Sequence, residues 1–186
     1  MTFSNVVPVG RTCVTEEALR EQIVGLLPRL RRFARSLSRN QHDADDLTQA
    51  AVERALRHVG QFREGANLAS WMFGIMKNAW IDHRRARGRR AEVPLPEDSG
   101  EHPAISPGDA STSLWSISEA MGELPEDQRL AIALVLVEGM SYKEAAAVLE
   151  IPIGTLTSRL ARGRAALASA LSAEKPAGET EQGKPA

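Results

Sequence analysis

Residues 141–171, SYKEAAAVLEIPIGTLTSRLARGRAALASAL, describe two helices meeting at a tight turn. Ser141 and Glu144 stand in capping-box spacing: the serine oxygen can accept from the Glu144 amide while the glutamate reaches back to the serine amide. Tyr142, Ala145, Ala146 and Leu149 then recur at helical spacing as one apolar face. The run Ile151-Pro152-Ile153-Gly154 breaks the pattern, because proline cannot continue the first helix but can open the second. In that second helix Leu156, Leu160, Gly163, Leu167 and Leu171 form a stripe to be buried, with a glycine where two backbones can approach closely.

The opposite side of the second helix has a different chemistry. Thr155, Ser158, Arg159 and Arg162 project from its flank and far side, and no acidic residue lies between Ile151 and Ala173. A helix apolar on one side and cationic or hydroxyl-bearing on the other suits the major groove. There arginine pairs with guanine edges and phosphates, and serine or threonine with either. The stretch therefore reads as a DNA-binding helix-turn-helix. Its plainer alternative is a two-helix hairpin with a solvated basic face.

Working outward, the bounds are those of a helical protein. The 186 residues make one medium domain or two small ones. Aromatic residues make up only 4%, and Ala, Leu, Arg and Glu dominate over β-branched runs, which favours helices over sheet. Net charge is −1, so any attraction to a polyanion must come from the distribution of charge rather than its sum. The single cysteine, Cys13, cannot form an internal disulfide, and the four histidines (His42, His58, His83 and His102) are scattered. No nucleophile–base pair, phosphate loop or metal-ligand spacing stands out. The chain is thus expected to be no enzyme, with no metal and no other cofactor. Pro8 and Gly10 fall where a leader's apolar core would lie, and no long apolar run exists, so a cytoplasmic protein without membrane contact is expected.

Residues 1–14 read as a disordered lead-in. From Thr15, Leu19, Ile23, Leu26, Leu30, Phe33 and Leu37 step by four and three, giving a long amphipathic helix in which Pro28 predicts a kink or two abutting helices. Arg29, Arg31, Arg32, Arg35 and Arg39 read as its solvated face. Residues 43–58 form the next helix, with Asp43 as its cap and Ala44, Leu47, Ala51 and Ala55 inward. Asp46, Gln49 and Glu53 line up along it as an acidic-polar ridge, either a helix-end effect or a docking surface. After a polar loop, Leu68, Trp71, Met72, Ile75 and Ala79 define one face of a third helix; Phe73, Lys77, Trp80 and Arg84 share another. That helix runs into Arg84, Arg85, Arg87, Arg89 and Arg90. Aromatic and cationic groups interleaved in this way can neutralise phosphates and stack bases.

Residues 91–113 contain four prolines, five acids and neither lysine nor arginine, the composition of a flexible linker. Beyond it, Leu114 to Met121 predicts a short helix. Pro125 opens another, which carries Leu130, Ile132, Leu134 and Leu136 to a stop at Gly139. Residues 173–186 have the composition of a disordered tail. The expectation is all-α: two small helical domains, 15–90 and 114–172, joined by a flexible linker, the second containing the helix-turn-helix.

DADDLTQAAVERAL, ASWMFGIMKNAWIDHRR and LPEDQRLAIALVLVEGMSYKEAAAVLEIPIGTLTSRLARGR, in that order with an acidic linker between, resemble the extracytoplasmic-function (ECF) sigma factors of bacterial RNA polymerase. The segment LLPRLRRFARSL looks closest to their general-stress-response branch. The resemblance implies a promoter-specificity subunit that performs no chemistry itself and takes no small-molecule substrate. Asp46, Gln49 and Glu53 would dock on the clamp helices of the polymerase β′ subunit. Arg63 to Asn67, with Asn78 behind, would hold a flipped base of the −10 strand, beside Lys77, Arg84 and Arg85. Thr155, Thr157, Ser158, Arg159 and Arg162 would face the −35 duplex. An anti-sigma factor is a further partner by family habit. A free-standing dimeric repressor or activator is the rival reading; it leaves the acidic ridge and the second basic helix without a role.

Overall fold

Helix α1 (Glu16–Leu37) begins with Glu16 and Glu17 and ends with Arg35, the charge order that complements a helix dipole. In the computed structural model, which describes residues 16–38, 40–63, 65–91 and 117–173, it buries Leu19, Ile23, Leu30, Phe33, Ala34 and Leu37. Pro28 lies inside it, and α1 is one helix rather than two abutting ones. An interior proline costs about 3 kcal/mol, whereas full burial of each large apolar side chain contributes about 1.5–3 kcal/mol. Ile23, Leu30 and Phe33, all within 1% of complete burial, outweigh it.

Helix α2 (Gln41–Arg57) is capped by Asn40, whose side chain accepts from the Asp43 amide at 2.7 Å. Asp43 is therefore not the cap the sequence suggests. It sits in the first turn, nearly buried, and pairs with Arg87 of the third helix at 2.8 Å. Ala44, Leu47, Ala51 and Ala55 face inward as expected. A 3-10 turn (Val59–Gln61) leads through Gly65, at φ +83°, to α3 (Leu68–Ala91). Asn67 caps α3 by accepting from the Ser70 amide at 3.1 Å. Met72, Phe73, Met76, Ala79 and Trp80 are buried, and Phe73 meets Phe33 edge-on at 5.1 Å. Such a contact adds about 0.5–1.5 kcal/mol to the burial.

In the second half residues 117–123 are helical (α4), overlapping the predicted helix, whose residues 114–116 lie outside the described residues. Helix α5 (Glu126–Ile132) then passes into a π-helical turn, Ala133–Val137. Leu134 is buried, whereas Leu136, two residues on and so on the opposite side of the helix, is 48% exposed. Gly139 takes φ +70° to leave the turn. Helix α6 (Tyr142–Leu149) has the complete Ser141–Glu144 capping box and ends on Glu150 in the left-handed conformation. It buries Ala145, Ala146, Val148 and Leu149, whereas Tyr142, expected on that face, is exposed at the helix start. Helix α7 (Ile153–Ala173) buries Leu156 and Leu160 completely; its stripe fades through half-buried Leu167 to Leu171, which is 37% exposed. A Cβ at Gly163 would meet Ile132 Cγ1 at 3.0 Å, so the glycine serves a close side-chain approach from α5.

The two halves rest on each other, α1 against α5 and the π turn, and α3 against α6. No strand occurs among the described residues. The expected lead-in, the linker beyond Ala91 and the tail beyond Ala173 lie outside the described residues.

Candidate nucleic-acid interface

Three surfaces carry the residues singled out from the sequence. On α7, burial of Leu156 and Leu160 fixes the rotation of the helix and leaves Thr157, Ser158 and Arg162 exposed, with Thr155 and Arg159 half-buried. Thr157 Oγ1 donates to the Ile153 carbonyl at 3.0 Å, and Ser158 Oγ to that of Thr155 at 2.9 Å. Arg162 Nε donates to the Ser158 carbonyl at 3.3 Å, a long contact that an incoming acceptor can replace. Arg159 differs: it pairs with Asp127 of α5 at 3.1 Å and is only 25% exposed. One of its functions is to fasten α7 to α5.

On α2, Asp46, Gln49 and Glu53 are all exposed on one side. Gln49 donates to Glu53 at 3.0 Å, which orients the ridge without neutralising it. Between this ridge and α1 lies a groove of about 530 Å³ lined by Leu27, Arg31, Arg35, Asp45, Gln49 and Glu53. Arg31 and Arg35 thus border the ridge.

Around α3 the picture changes. Arg63, Asn67, Asn78, Arg84 and Arg85 are exposed. Phe73 and Trp80, expected to interleave with cations as stacking platforms, belong to the core instead, because the α1–α2 layer covers that face. Trp71 is half-buried against Phe62, with ring centroids 5.3 Å apart. The Arg84 guanidinium lies over the Trp80 ring at 5.9 Å, which holds it at the edge of the core. Lys77 is almost buried, its side chain 7% exposed, and its ammonium donates to Glu150 of the second half at 2.7 Å. Hydrogen bonding and charge from Lys77 hold the Glu150 carboxyl below its ordinary value. Asn67 likewise reaches across, donating to Glu144 at 3.3 Å.

Sequence reading missed the groups that join the halves. Glu138, its side chain fully buried, accepts from Arg32 Nε at 2.9 Å and from Arg29 Nε at 3.1 Å. These arginines are not merely a solvated face of α1. Arg129, buried, donates to the Leu37 carbonyl that ends α1 and to those of Gly122 and Leu124. The only local hint was an acid directly before a helix-stopping glycine. Among the described residues no cluster of His, Cys, Asp and Glu could hold a metal, and no helix is long and apolar enough to cross a membrane.

A three-helix unit with an acidic ridge, followed by a helix-turn-helix with a basic outer face, is the build of a promoter-recognition subunit. Residues 23–90 match the description Sigma-70 region 2, and residues 114–167 match Sigma-70, region 4. The ECF RNA polymerase sigma factor EcfG of Rhodopseudomonas palustris is 37% identical over 158 residues, covering 83% of this chain and 86% of that protein. Among solved structures, the sigma factor RpoE in complex with the anti-sigma factor NepR from Bartonella quintana superposes with a TM-score of 0.72 at 34% identity. It covers 86% of this chain and 99% of that one. CnrH, in complex with the cytosolic domain of CnrY, gives a TM-score of 0.63 at 26% identity, covering 86% of this chain and 91% of that one. The chain belongs to the sigma-70 family, within its ECF sigma factors. Its function is accordingly promoter recognition and transcription initiation with RNA polymerase.

Proposed function

We propose that the three surfaces divide the work of initiation. The α2 ridge of Asp46, Gln49 and Glu53 docks on the clamp helices of the polymerase β′ subunit. Arg63, Asn67, Lys77, Asn78, Arg84 and Arg85 serve the −10 strand once it is melted. Thr155, Thr157, Ser158, Arg159 and Arg162 serve the −35 duplex, with Arg162 reading a base and Arg159 adding a phosphate contact from its bridge to Asp127. The polymerase supplies all the chemistry, so the chain works in the cytoplasm and takes no substrate or cofactor of its own. An anti-sigma factor is proposed as a further partner, because RpoE, with the same two-part architecture, is found in complex with one. The stress-response branch is supported by the resemblance of LLPRLRRFARSL.

The observation that carries this reading is the orientation of α7: two fully buried leucines set an exposed hydroxyl and guanidinium face behind a capped turn. A dimeric repressor would need that face alone. A sigma factor also needs the α2 ridge, which gives the deciding test. Charge-assisted contacts that lose one partner typically cost about 2–5 kcal/mol. Asp46→Arg with Glu53→Arg is therefore expected to abolish co-purification with core polymerase while the helical circular dichroism stays unchanged. Wild-type retention of core enzyme by the double variant would remove the ridge from the docking surface.

A further inference from the structure

Helix α7 opens on an isoleucine that the fold leaves outside. Ile153 is its first residue and is 51% exposed. One exposed apolar side chain means little by itself. Its position gives it meaning, because the first residues of a recognition helix are those that meet base edges. Thr157 and Ala161 follow it at steps of four, and both are exposed. Such a line turns by about 40° per step, which brings Ala161 beside Ser158, three residues before it. Thr157 gives its hydroxyl proton to the Ile153 carbonyl at 3.0 Å, so it has a methyl group to offer and no free donor. Next to Ile153, a Cβ on Gly154 would meet nothing within 4 Å, so the backbone there is open to a close approach. The outer face of α7 is thus divided. Ser158 and Arg162 are its polar part, and the line beside them is apolar.

We propose that Ile153 and Thr157, with Ala161 beyond them, read thymine. The C5-methyl of thymine is the apolar feature among the base edges of the major groove, and aliphatic groups such as the alanine or threonine methyl are what meets it. The line lies on such methyl groups in the −35 duplex, next to the base pair that Arg162 reads. Two effects make the contact selective. Each methyl group that leaves water for an apolar neighbour strengthens binding about fourfold. An amino or carbonyl edge turned to the same line loses its water without gaining a partner, since Ile153 and Ala161 have no polar side-chain atom and Thr157 has committed its proton. No acid between Ile151 and Ala173 repels the phosphates on either side of the groove. The inference rests on the reading of α7 as the −35 helix given above. What it adds is the base that lies there and Ile153 as a residue that selects it.

The test uses the full chain bound to core polymerase and a promoter duplex recovered by run-off transcription. Thymines of the −35 element, on either strand, are replaced singly by deoxyuridine, which removes the methyl group and keeps every hydrogen-bonding group. Thymines of the spacer serve as controls. Affinity is read by competition at one fixed salt concentration. With the unaltered chain, at least one −35 replacement is expected to weaken binding about fourfold, and spacer replacements to leave it unchanged. Ile153→Ala should bind the thymine duplex more weakly and no longer distinguish it from the deoxyuridine duplex at that position. Thr157→Ser, which keeps the hydroxyl bonded to the Ile153 carbonyl, should do the same at a neighbouring thymine. Both side chains are exposed, and unchanged helical circular dichroism checks that the variants fold. A deoxyuridine penalty that survives both substitutions at every position gives the methyl to another residue and overturns the proposal. A −35 element with no thymine on either strand contradicts it outright. If no −35 replacement matters although Arg162→Lys still abolishes preference for the cognate element, the thymine line fails and the −35 reading of α7 stands. If neither matters, the −35 reading fails with it.

Discussion

Arg162 stands on the exposed side of α7 with its guanidinium resting on the carbonyl of Ser158, one turn before it. A guanidinium fork can bind both acceptors of a guanine and discriminates by about 1–3 kcal/mol; an ammonium keeps the charge without the fork. Arg162→Lys is thus expected to keep most non-specific DNA binding but lose preference for a cognate −35 duplex over a scrambled one, measured at fixed salt. An unchanged ratio would make Arg162 a phosphate contact only. On the same helix, Gly163 tests the packing beneath. A methyl there would meet the Ile132 side chain at 3.0 Å, and Ile132 is itself only 2% exposed, with little room to yield. Gly163→Ala gains about 1 kcal/mol in helix propensity against overpacking of about 1–3 kcal/mol. A lowered melting temperature is expected, and a raised one would show that α5 yields freely. What could be read residue by residue was whatever a single helix face dictates: the Leu156 and Leu160 stripe, the exposure of Asp46, Gln49 and Glu53, and the outward set of Arg162. What could not be read was which charges face another half of the molecule. Arg29 and Arg32 meet Glu138 from 109 and 106 residues away, a separation on which helical periodicity is silent.

Helix α6 shows how much one element depends on its first turn. It has only eight residues, too few to be stable alone. Its capping box and the burial of Ala145, Ala146, Val148 and Leu149 hold it in place. Ser141→Ala should cost about 1 kcal/mol of stability, read by denaturant unfolding with an unchanged slope. The serine side chain and then its backbone amide hold the Glu144 carboxyl below its ordinary value of 4.5. A depressed folded value means that the contribution is complete above the ordinary value and is lost as pH falls through the lowered one. The Ser141→Ala deficit is therefore expected to persist at neutral pH and to shrink in acid below about 4.5. A deficit that grows on acidification would contradict the capping account. The capping box was legible because it is a four-residue pattern. The π turn at Ala133–Val137 was not, since its sequence, ALVLV, fits an ordinary helix; only the bond from the Glu138 amide to the Ala133 carbonyl, five residues back, reveals it. Asp43 was misjudged as a cap for a similar reason: Asn40, three residues earlier, offered an equally good oxygen to the helix end, and Arg87 was placed to take the acid.

At the level of the molecule, the order of the parts was legible and their embrace was not. The sequence separates two helical units, which the family matches at 23–90 and 114–167 bear out as sigma regions. Nothing in either unit announces that α3 would pack on α6 or α1 on the π turn. That contact sets the second half's Glu150 and Glu144 against Lys77 and Asn67 of the first. The chain's task is to give RNA polymerase its choice of promoter. Run-off transcription with purified core polymerase and a genomic promoter library puts that to the test. Transcripts should appear only when the chain is added, share −35 and −10 elements at a constant spacing, and vanish with Asp46→Arg and Glu53→Arg. Transcripts that are identical without the chain, together with its binding as a dimer to palindromic duplex, would show instead that it is a free-standing regulator.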